Sequence, residues 1–217
     1  MMLSSTNTLM LIMLWFTLMI GYLSYRVSRK QLPILFIHVP KTGGNSIKKT
    51  QFFKRCKYFK HKPITQIKNH KSDYKYSFAV TRNPYDRVVS AFHYLKNGGE
   101  PNNAGDLQRQ KKLLKYKAFS DFVKDLHLFI HDTHFRPQYT FVCDKNDRIL
   151  VDCILENETL ERDIIKLYEK EGLPVENIPK VNTSKHDNYS KYYDDVNIKN
   201  KVYQIYKKDF ELFNYTY

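Results

Sequence analysis

The sequence has few cysteines and few acidic residues, and both shortages exclude classes of protein. Three cysteines in 217 residues are too few for a disulfide scaffold, and no Cys/His spacing resembles a zinc site. The sequence also lacks internal repeats and low-complexity tracts. With 22 acidic residues against 36 basic ones, the net charge is +14, which favours an anionic partner: nucleic acid, a membrane surface, a nucleotide or an acidic glycan. An aromatic share of 15% argues against a disordered basic protein.

Charged side chains are also absent from Met1 to Tyr25, and the stretch from Leu9 to Leu23 is almost entirely apolar. A membrane span needs about 20 apolar residues, so this stretch is at the short end, and Arg26 follows it closely. We predict that residues 1–30 form an uncleaved single-pass membrane anchor with a short linker, and that residues 31–217 form one domain. A cleaved signal peptide is the alternative, but it requires a basic leading segment and small residues at the cleavage site.

A buried strand, a tight loop and a helix start follow one another between Ile34 and Ile47. The apolar run from Ile34 to Val39 is typical of a central parallel strand, and Pro40 ends it because proline has no N–H to donate. Gly43 and Gly44 permit positive φ angles and a close approach of the backbone to a ligand. Free N–H groups at a helix start bind anions. The residues that we expect to hold an anion are Lys41, Thr42, Gly43, Gly44, Asn45 and Ser46.

The order of residues in this loop distinguishes it from the Walker A motif of P-loop kinases. In that motif, lysine and serine or threonine come after the second glycine, whereas Lys41 comes before Gly43 and Gly44. An ordinary strand-to-helix turn with a solvated lysine is the alternative interpretation.

A run of basic residues extends from Lys48 to Lys75 and holds ten Lys or Arg and a single acid, Asp73. The run is either a solvated face or the basic wall of a cleft for an acidic ligand. Within it, the alternation of Pro63 to Ile67 predicts a strand, and His70 follows in a polar loop.

A second strand and loop lie between Tyr76 and Phe92. Phe78 to Thr81 has the pattern of a buried strand, and the Asn-Pro pair after Arg82 is typical of a turn that opens a helix. Arg82 therefore falls at the carboxyl end of a strand, where open α/β sheets bind ligands. An ion pair with Asp86 is the alternative role for this arginine.

Together the two stretches resemble the two signatures with which Golgi-type carbohydrate sulfotransferases (sulfotransferase family 2) bind PAPS, 3′-phosphoadenosine-5′-phosphosulfate. The resemblance is to chondroitin 4-sulfotransferase and HNK-1 sulfotransferase above all, with heparan sulfate 2-O-sulfotransferase as a further relative, and it covers about Ile34 to Tyr215. It implies that the first loop binds the 5′-phosphosulfate, and that Arg82 and Ser90, eight residues apart, bind the 3′-phosphate. The matching segments are Pro40-Lys41-Thr42-Gly43-Gly44-Asn45-Ser46 and Arg82-Asn83-Pro84-Tyr85-Asp86-Arg87-Val88-Val89-Ser90.

The resemblance implies a three-layer, P-loop-like α/β fold with a central parallel sheet, in which both predicted strands are inner strands near each other. It implies a PAPS-dependent sulfotransferase that moves a sulfuryl group to a hydroxyl of an acidic or neutral glycan, with no metal and no nucleic acid. It further implies a Golgi or other secretory-pathway membrane, which requires the opposite topology to the one that the positive-inside rule gives for Arg26. Four glycosylation sequences are available if the domain is lumenal: Asn157, Asn182, Asn188 and Asn214.

The remaining chain also resembles the family. The segment from His134 to Gln138 matches its His-x-x-Pro-Gln segment near the active cleft, so His134, Arg136 and Gln138 are expected to bind the acceptor substrate. Cys143 and Cys153 are either a disulfide or two free thiols. The patterns further predict helices over 105–117, 118–130, from 160 and over 197–210, and strands over 139–143 and 149–155 around a turn at 144–147.

Sulfuryl transfer requires stabilisation of the leaving oxygen and a base for the acceptor hydroxyl. We expect Lys41 to stabilise the leaving group. A histidine suits the base because its pKa lies near working pH. His70 is our candidate, since it precedes Arg82 by twelve residues and similar relatives have a histidine in a comparable place; the other candidates are His61, His131 and His134.

Two other functions compete with sulfuryl transfer. A P-loop-like nucleotide kinase would require the Walker order and an acidic residue that holds a metal. A non-catalytic basic module for nucleic acid or anionic membrane explains the net charge, but it does not explain two anion loops at strand ends.

Overall fold

A parallel four-stranded sheet forms the centre of the protein in the computed structural model, which describes residues 5–179 and 187–217. The strand order is β2-β1-β3-β4, so the first and third strands are the inner pair, as predicted. All residues of these two strands are buried, which explains their unbroken apolar sequence. The strands are β1 (Ile34–Ile37), β2 (Cys56–Tyr58), β3 (Ser77–Thr81) and β4 (Cys153–Glu156).

Helices cover both faces of the sheet, which confirms the α/β fold. The eight helices of the described chain are α1 (Ser5–Gln31), α2 (Gly44–Ile47), α3 (Pro84–Lys96), α4 (Ala104–Leu113), α5 (Phe119–Lys124), α6 (Tyr139–Val142), α7 (Leu160–Glu171) and α8 (Val196–Leu212). Phe36 and Phe78 on one sheet face pack against α2 and α7. Leu35 and Ala79 on the other face pack against α6 and Phe213. A third apolar cluster joins α3, α5 and α8 beside the sheet.

The N-terminal helix α1 spans the apolar stretch from Leu9 to Leu23, within the residues 1–30 that were predicted to form the anchor and linker. Its apolar side chains over this range are exposed. Among the residues that the structure describes, no helix is both long enough and apolar enough to cross a membrane. The predicted transmembrane span is thus not found, and Arg26 closes an apolar run that was already near the minimum length. The division into residues 1–30 and 31–217 stays a prediction, and Asn182 lies outside the described residues.

The segment after Gln138 is a helical turn, α6, so the predicted strand over 139–143 is wrong. Asp209 of α8 accepts hydrogen bonds from the backbone N–H groups of Gln138 and Tyr139, at 2.8 and 2.9 Å. A carboxylate from a distant helix therefore satisfies donors of the first turn as a capping residue does. This tertiary contact outweighs the strand propensity of the segment.

The segment from Ile64 to Gln66 is a 3₁₀ turn, so the strand predicted over 63–67 is wrong. Ile64 and Ile67 are buried, whereas Thr65 and Gln66 are exposed. A spacing of three between buried residues fits a 3₁₀ turn, in which positions i and i+3 lie above each other. The helix predicted over 118–130 also ends early, at Lys124, and a 3₁₀ turn Leu126–Leu128 follows. The three cysteines are free thiols, so Cys143 and Cys153 form no disulfide.

Candidate active site

Both predicted anion loops open into one cleft of about 1450 Å³ at the carboxyl ends of β1 and β3. Lys41 and Arg82 both line this cleft, and Arg82 Nη1 donates a hydrogen bond to the Lys41 carbonyl at 3.2 Å. Parallel neighbours end at the same edge of a sheet, so the two loops meet there. The structure thus brings together residues that lie 41 positions apart.

The first loop is shaped by two residues with positive φ, Lys41 at 68° and Gly43 at 84°. A Cβ atom on Gly43 would lie 2.5 Å from the amide nitrogen of Asn157. A Cβ atom on Gly44 would lie 2.3 Å from the His38 ring. Both glycines are therefore required by close neighbours, and Gly43 is also required by its backbone conformation. The loop lines the cleft with Gly43, Gly44, Asn45 and Ser46, while Thr42 is buried and donates its hydroxyl to Val39.

The second loop is fixed by a buried glutamine. Gln138 accepts a hydrogen bond from the Arg82 backbone N–H at 3.0 Å and donates one to the Arg82 carbonyl at 2.8 Å. The Arg82 guanidinium is paired with Asp86 at 2.8 Å, so the structural role considered for this arginine is present, and Arg82 also lines the cleft. Ser90 follows two turns into α3, is 2% exposed and lines the same cleft.

The ammonium group of Lys41 lies in an environment that weakens its positive charge. Burial, and then the charge of Arg82, lower the pKa of Lys41 to about 7, although Asp106 acts in the opposite direction. The Lys41 Nζ lies 3.7 Å from the centroid of the Tyr94 ring, which is a cation–π contact. A desolvated amine of this kind gains most from an incoming anion.

Three histidines, His38, His61 and His134, line the cleft beside Lys41. The His61 ring lies 4.7 Å from the His38 ring and 6.1 Å from the His134 ring, measured between centroids. His61 Nδ1 lies 3.0 Å from the His38 carbonyl, which can only accept, so Nδ1 carries the proton and Nε2 is an acceptor. Burial lowers the pKa of His61, which favours the neutral ring.

Asp132 contacts both the backbone and the ring of His134. The His134 backbone N–H donates to Asp132 Oδ1 at 2.9 Å, and His134 Nδ1 lies 3.5 Å from the same oxygen. Arg109 donates to the other carboxylate oxygen at 2.5 Å. Burial opposes ionisation of Asp132, but the hydrogen bonds from His134 and Arg109 outweigh it and lower its pKa to about 2.

His70 does not lie in the cleft, which corrects its assignment as the base. It lines a separate cavity of about 250 Å³ with Ser77 and Asp152, at the amino end of β3. The five residues of β3 separate His70 from Arg82 by a strand of roughly 17 Å, because a strand rises about 3.3 Å per residue. The position twelve residues before Arg82 therefore places it at the wrong end of the sheet.

Two of the three residues expected to bind the acceptor have internal partners. Gln138 is 0% exposed and clamps the Arg82 backbone. Arg136 does not line the cleft; its guanidinium lies 5.3 Å from the Phe141 ring, and its carbonyl accepts a hydrogen bond from Arg87. His134 does line the cleft. Gln138 thus positions the second loop, and neither Gln138 nor Arg136 lines the cleft.

Three of the cleft residues that sequence reasoning missed are His38, Tyr94 and Asp106. His38 ends the apolar run of β1, so a polar residue next to the anion loop was a signal. Tyr94 lies four residues after Ser90 on α3, on the same helix face, which was a second signal. Asp106 follows a polar loop and carried no such signal.

Comparison with known proteins agrees with this geometry. A profile described as the sulfotransferase family matches residues 24–216, nearly the whole chain. An uncharacterized protein of Archaeoglobus fulgidus is 36% identical over 114 residues, which are 52% of this chain and 82% of that protein. No solved structure matches the chain. The chain, with its two anion loops joined at one cleft, belongs to the sulfotransferase family and is a sulfotransferase enzyme.

Proposed function

We propose that the protein transfers the sulfuryl group of PAPS to a hydroxyl of a glycan acceptor by in-line displacement. The observation that carries this proposal is the hydrogen bond between Arg82 and the Lys41 carbonyl, because it joins the two expected donor loops at one cleft. Family membership implies PAPS as the donor. The glycan acceptor and a Golgi or other secretory membrane stay predictions.

The residues of the cleft fit a donor with two separate anionic groups. Lys41 supplies a cation for the 5′-phosphosulfate, and the loop with Gly44 and Asn45 supplies backbone N–H groups. Arg82 and Ser90 supply a guanidinium and a hydroxyl for the 3′-phosphate. PAPS supplies the sulfuryl group; the chain holds it and stabilises the charge that the bridging oxygen gains.

We assign the base to His61. In the step, the acceptor oxygen bonds to sulfur as the bond between sulfur and the bridging phosphate oxygen breaks, and the hydroxyl proton passes to His61 Nε2. The His38 carbonyl holds the proton on Nδ1, and the lowered pKa keeps the ring neutral at pH 7. Through this carbonyl contact His38 is a supporting residue of His61.

The donor site is tested by Lys41→Ala and Arg82→Ala. The oxygen near Lys41 gains charge only as its bond to sulfur breaks, so Lys41→Ala should lower kcat by about 10²–10³. The 3′-phosphate keeps its charge throughout, so Arg82→Ala should raise the KM for PAPS with a smaller effect on kcat. Lys170→Ala is the control, because Lys170 also contacts a tyrosine ring, at 3.9 Å, but lies outside the cleft. Wild-type kinetics in both cleft variants would contradict the proposal.

The base is tested by comparing His61→Asn with His70→Asn. His61→Asn should lower transfer by about 10²-fold or more and leave the affinity for PAP, the desulfated donor, near wild type. His70→Asn should retain transfer, since His70 lies at the other end of β3. The opposite ranking of the two variants would return the base to His70. A transfer screen across glycans with mass-spectrometric readout identifies the acceptor. Transfer to non-glycan hydroxyls alone would overturn the proposal that the acceptor is a glycan.

A further inference from the structure

Tyr94 contacts both sides of the cleft. The Lys41 ammonium lies 3.7 Å from its ring centroid, on the side where the donor is expected. The imidazole of His134 stacks on the same ring, with 5.7 Å between the centroids and 30° between the planes. One aromatic side chain of α3 therefore joins the lysine of the first loop to a histidine from a segment 40 residues later in the chain.

The Tyr94 ring is itself held in place by a buried carboxylate. The Tyr94 hydroxyl donates to Asp106 Oδ2 at 3.0 Å, and Asp106 is 2% exposed. Arg109 donates to Asp106 at 3.2 Å and to Asp132 at 2.5 Å. Asp132 in turn accepts the His134 backbone N–H. These contacts form a closed chain of residues that begins and ends at Tyr94. The orientation of the Tyr94 side chain is therefore fixed from two directions.

We propose that Tyr94 is a positioning residue for sulfuryl transfer, which holds the Lys41 ammonium and His134 at a fixed separation across the cleft. This inference rests on the proposed function. Tyr94 touches neither the sulfuryl group nor the base; it acts through Lys41. Asp106 is its anchor.

The contact also controls how much of Lys41 is charged. Lys41 faces Arg82 from the end of β3, His38 from β1, Tyr94 from α3 and Asp106 from α4. Arg82 and burial favour the neutral amine, whereas the electron-rich ring face and Asp106 favour the ammonium. Since burial lowers the pKa of Lys41 to about 7, loss of the ring leaves a larger neutral fraction at pH 7. A neutral amine stabilises the leaving oxygen less.

The experiment uses the full chain and three variants: Tyr94→Leu, Tyr94→Phe and Tyr94→Met. Competitive acetylation across pH, read by mass spectrometry of the peptide that holds Lys41, gives the titration midpoint of that amine without any sulfate transfer. We expect a midpoint near 7 in the wild type and a lower midpoint in Tyr94→Leu, with kcat reduced about 2- to 30-fold, the range that a desolvated cation–π contact supplies. Tyr94→Phe keeps the ring and should recover most of the rate. Tyr217→Leu is the control, because Lys199 lies 4.3 Å from that exposed ring, outside the cleft.

The outcomes separate this inference from the proposed function. If Lys41 titrates at the same pH in the wild type and in Tyr94→Leu, and kcat is equal within twofold, the role of Tyr94 is refuted. If no sulfate transfer is found in any protein but the midpoint shifts, the proposed function fails and the Tyr94–Lys41 coupling stands. If Tyr94→Leu does not fold, Tyr94→Met decides, because it also removes the ring and leaves the Asp106 charge in place: an unchanged Lys41 midpoint overturns the proposal, and a lowered one supports it.

Discussion

Replacement of Gln138 with leucine tests the clamp on the second anion loop. The side-chain amide makes two hydrogen bonds to the Arg82 backbone, at 3.0 and 2.8 Å, and it is fully buried. Leucine has a similar volume, so the cavity that it leaves is small, but it leaves one N–H and one C=O without a partner. An unsatisfied buried group costs about 1–3 kcal/mol, so we expect Gln138→Leu to lose roughly 2–4 kcal/mol of unfolding free energy.

The same change should weaken donor binding, because the Arg82 side chain is carried by the clamped backbone. A loss of about 1.4 kcal/mol in binding corresponds to a tenfold weaker affinity for PAP, which is the effect we expect by calorimetry. Unfolding is followed in urea by far-ultraviolet circular dichroism, since Trp15 lies on the exposed helix α1 and reports little on the domain.

Gln110→Leu is the matched control. Gln110 makes a single side-chain hydrogen bond, to the Lys96 carbonyl at 3.1 Å, and its removal should cost about 0.5–1.5 kcal/mol without an effect on PAP affinity. The role of Gln138 as a clamp is refuted if Gln138→Leu lowers the unfolding free energy by less than about 1 kcal/mol. It is also refuted if the unfolding free energy falls as expected but the affinity for PAP stays at the wild-type value.

Two further predictions concern the first loop. The pKa of Lys41 is about 7 without an anion and should rise when an anionic donor binds, so PAP binding at pH 8 should take up close to one proton. The uptake is measured by calorimetry in buffers with different ionisation enthalpies. Lys41→Met should abolish it, and equal uptake in both proteins would exclude Lys41 as the group that takes up the proton. Gly44→Ala should destabilise the protein by about 1–3 kcal/mol, since the added Cβ would lie 2.3 Å from the His38 ring. Gly21→Ala is the control, because its Cβ would have no heavy atom within 4 Å and should not change the stability. Equal unfolding curves for the two variants would refute the close approach of Gly44 to His38.

Local patterns were sufficient to predict the two anion loops and the strands that carry them. Pro40 follows the apolar run before Lys41 directly, Pro84 follows the shorter run at Thr81 by three residues, and both strands end at one edge of the sheet. Adjacency of β1 and β3 followed from the expectation that both are inner strands. These features depend on residues within one strand and its loop.

Residues whose role depends on distant contacts were not predictable in this way. His70 looked suitable because of its distance from Arg82 along the chain, but the length of β3 places it at the opposite end of the sheet. Gln138 looked like a substrate ligand, but its partner is the Arg82 backbone, 56 residues earlier. The helical form of α6 depends on Asp209, 70 residues later. No window of sequence contains both members of these pairs.

The bonds of Asp209 have a consequence for the order in which the protein is made. Asp209 lies near the end of α8, yet it fixes the backbone at Gln138, which in turn fixes Arg82. Tyr206 of the same helix donates its hydroxyl to the Phe135 carbonyl. During synthesis, both predicted anion loops leave the ribosome long before α8 does, so the proposed donor site of the nascent chain is incomplete until α8 has emerged and docked. Over that interval the proposed donor cannot stabilise the domain, because a ligand stabilises only the folded state that binds it.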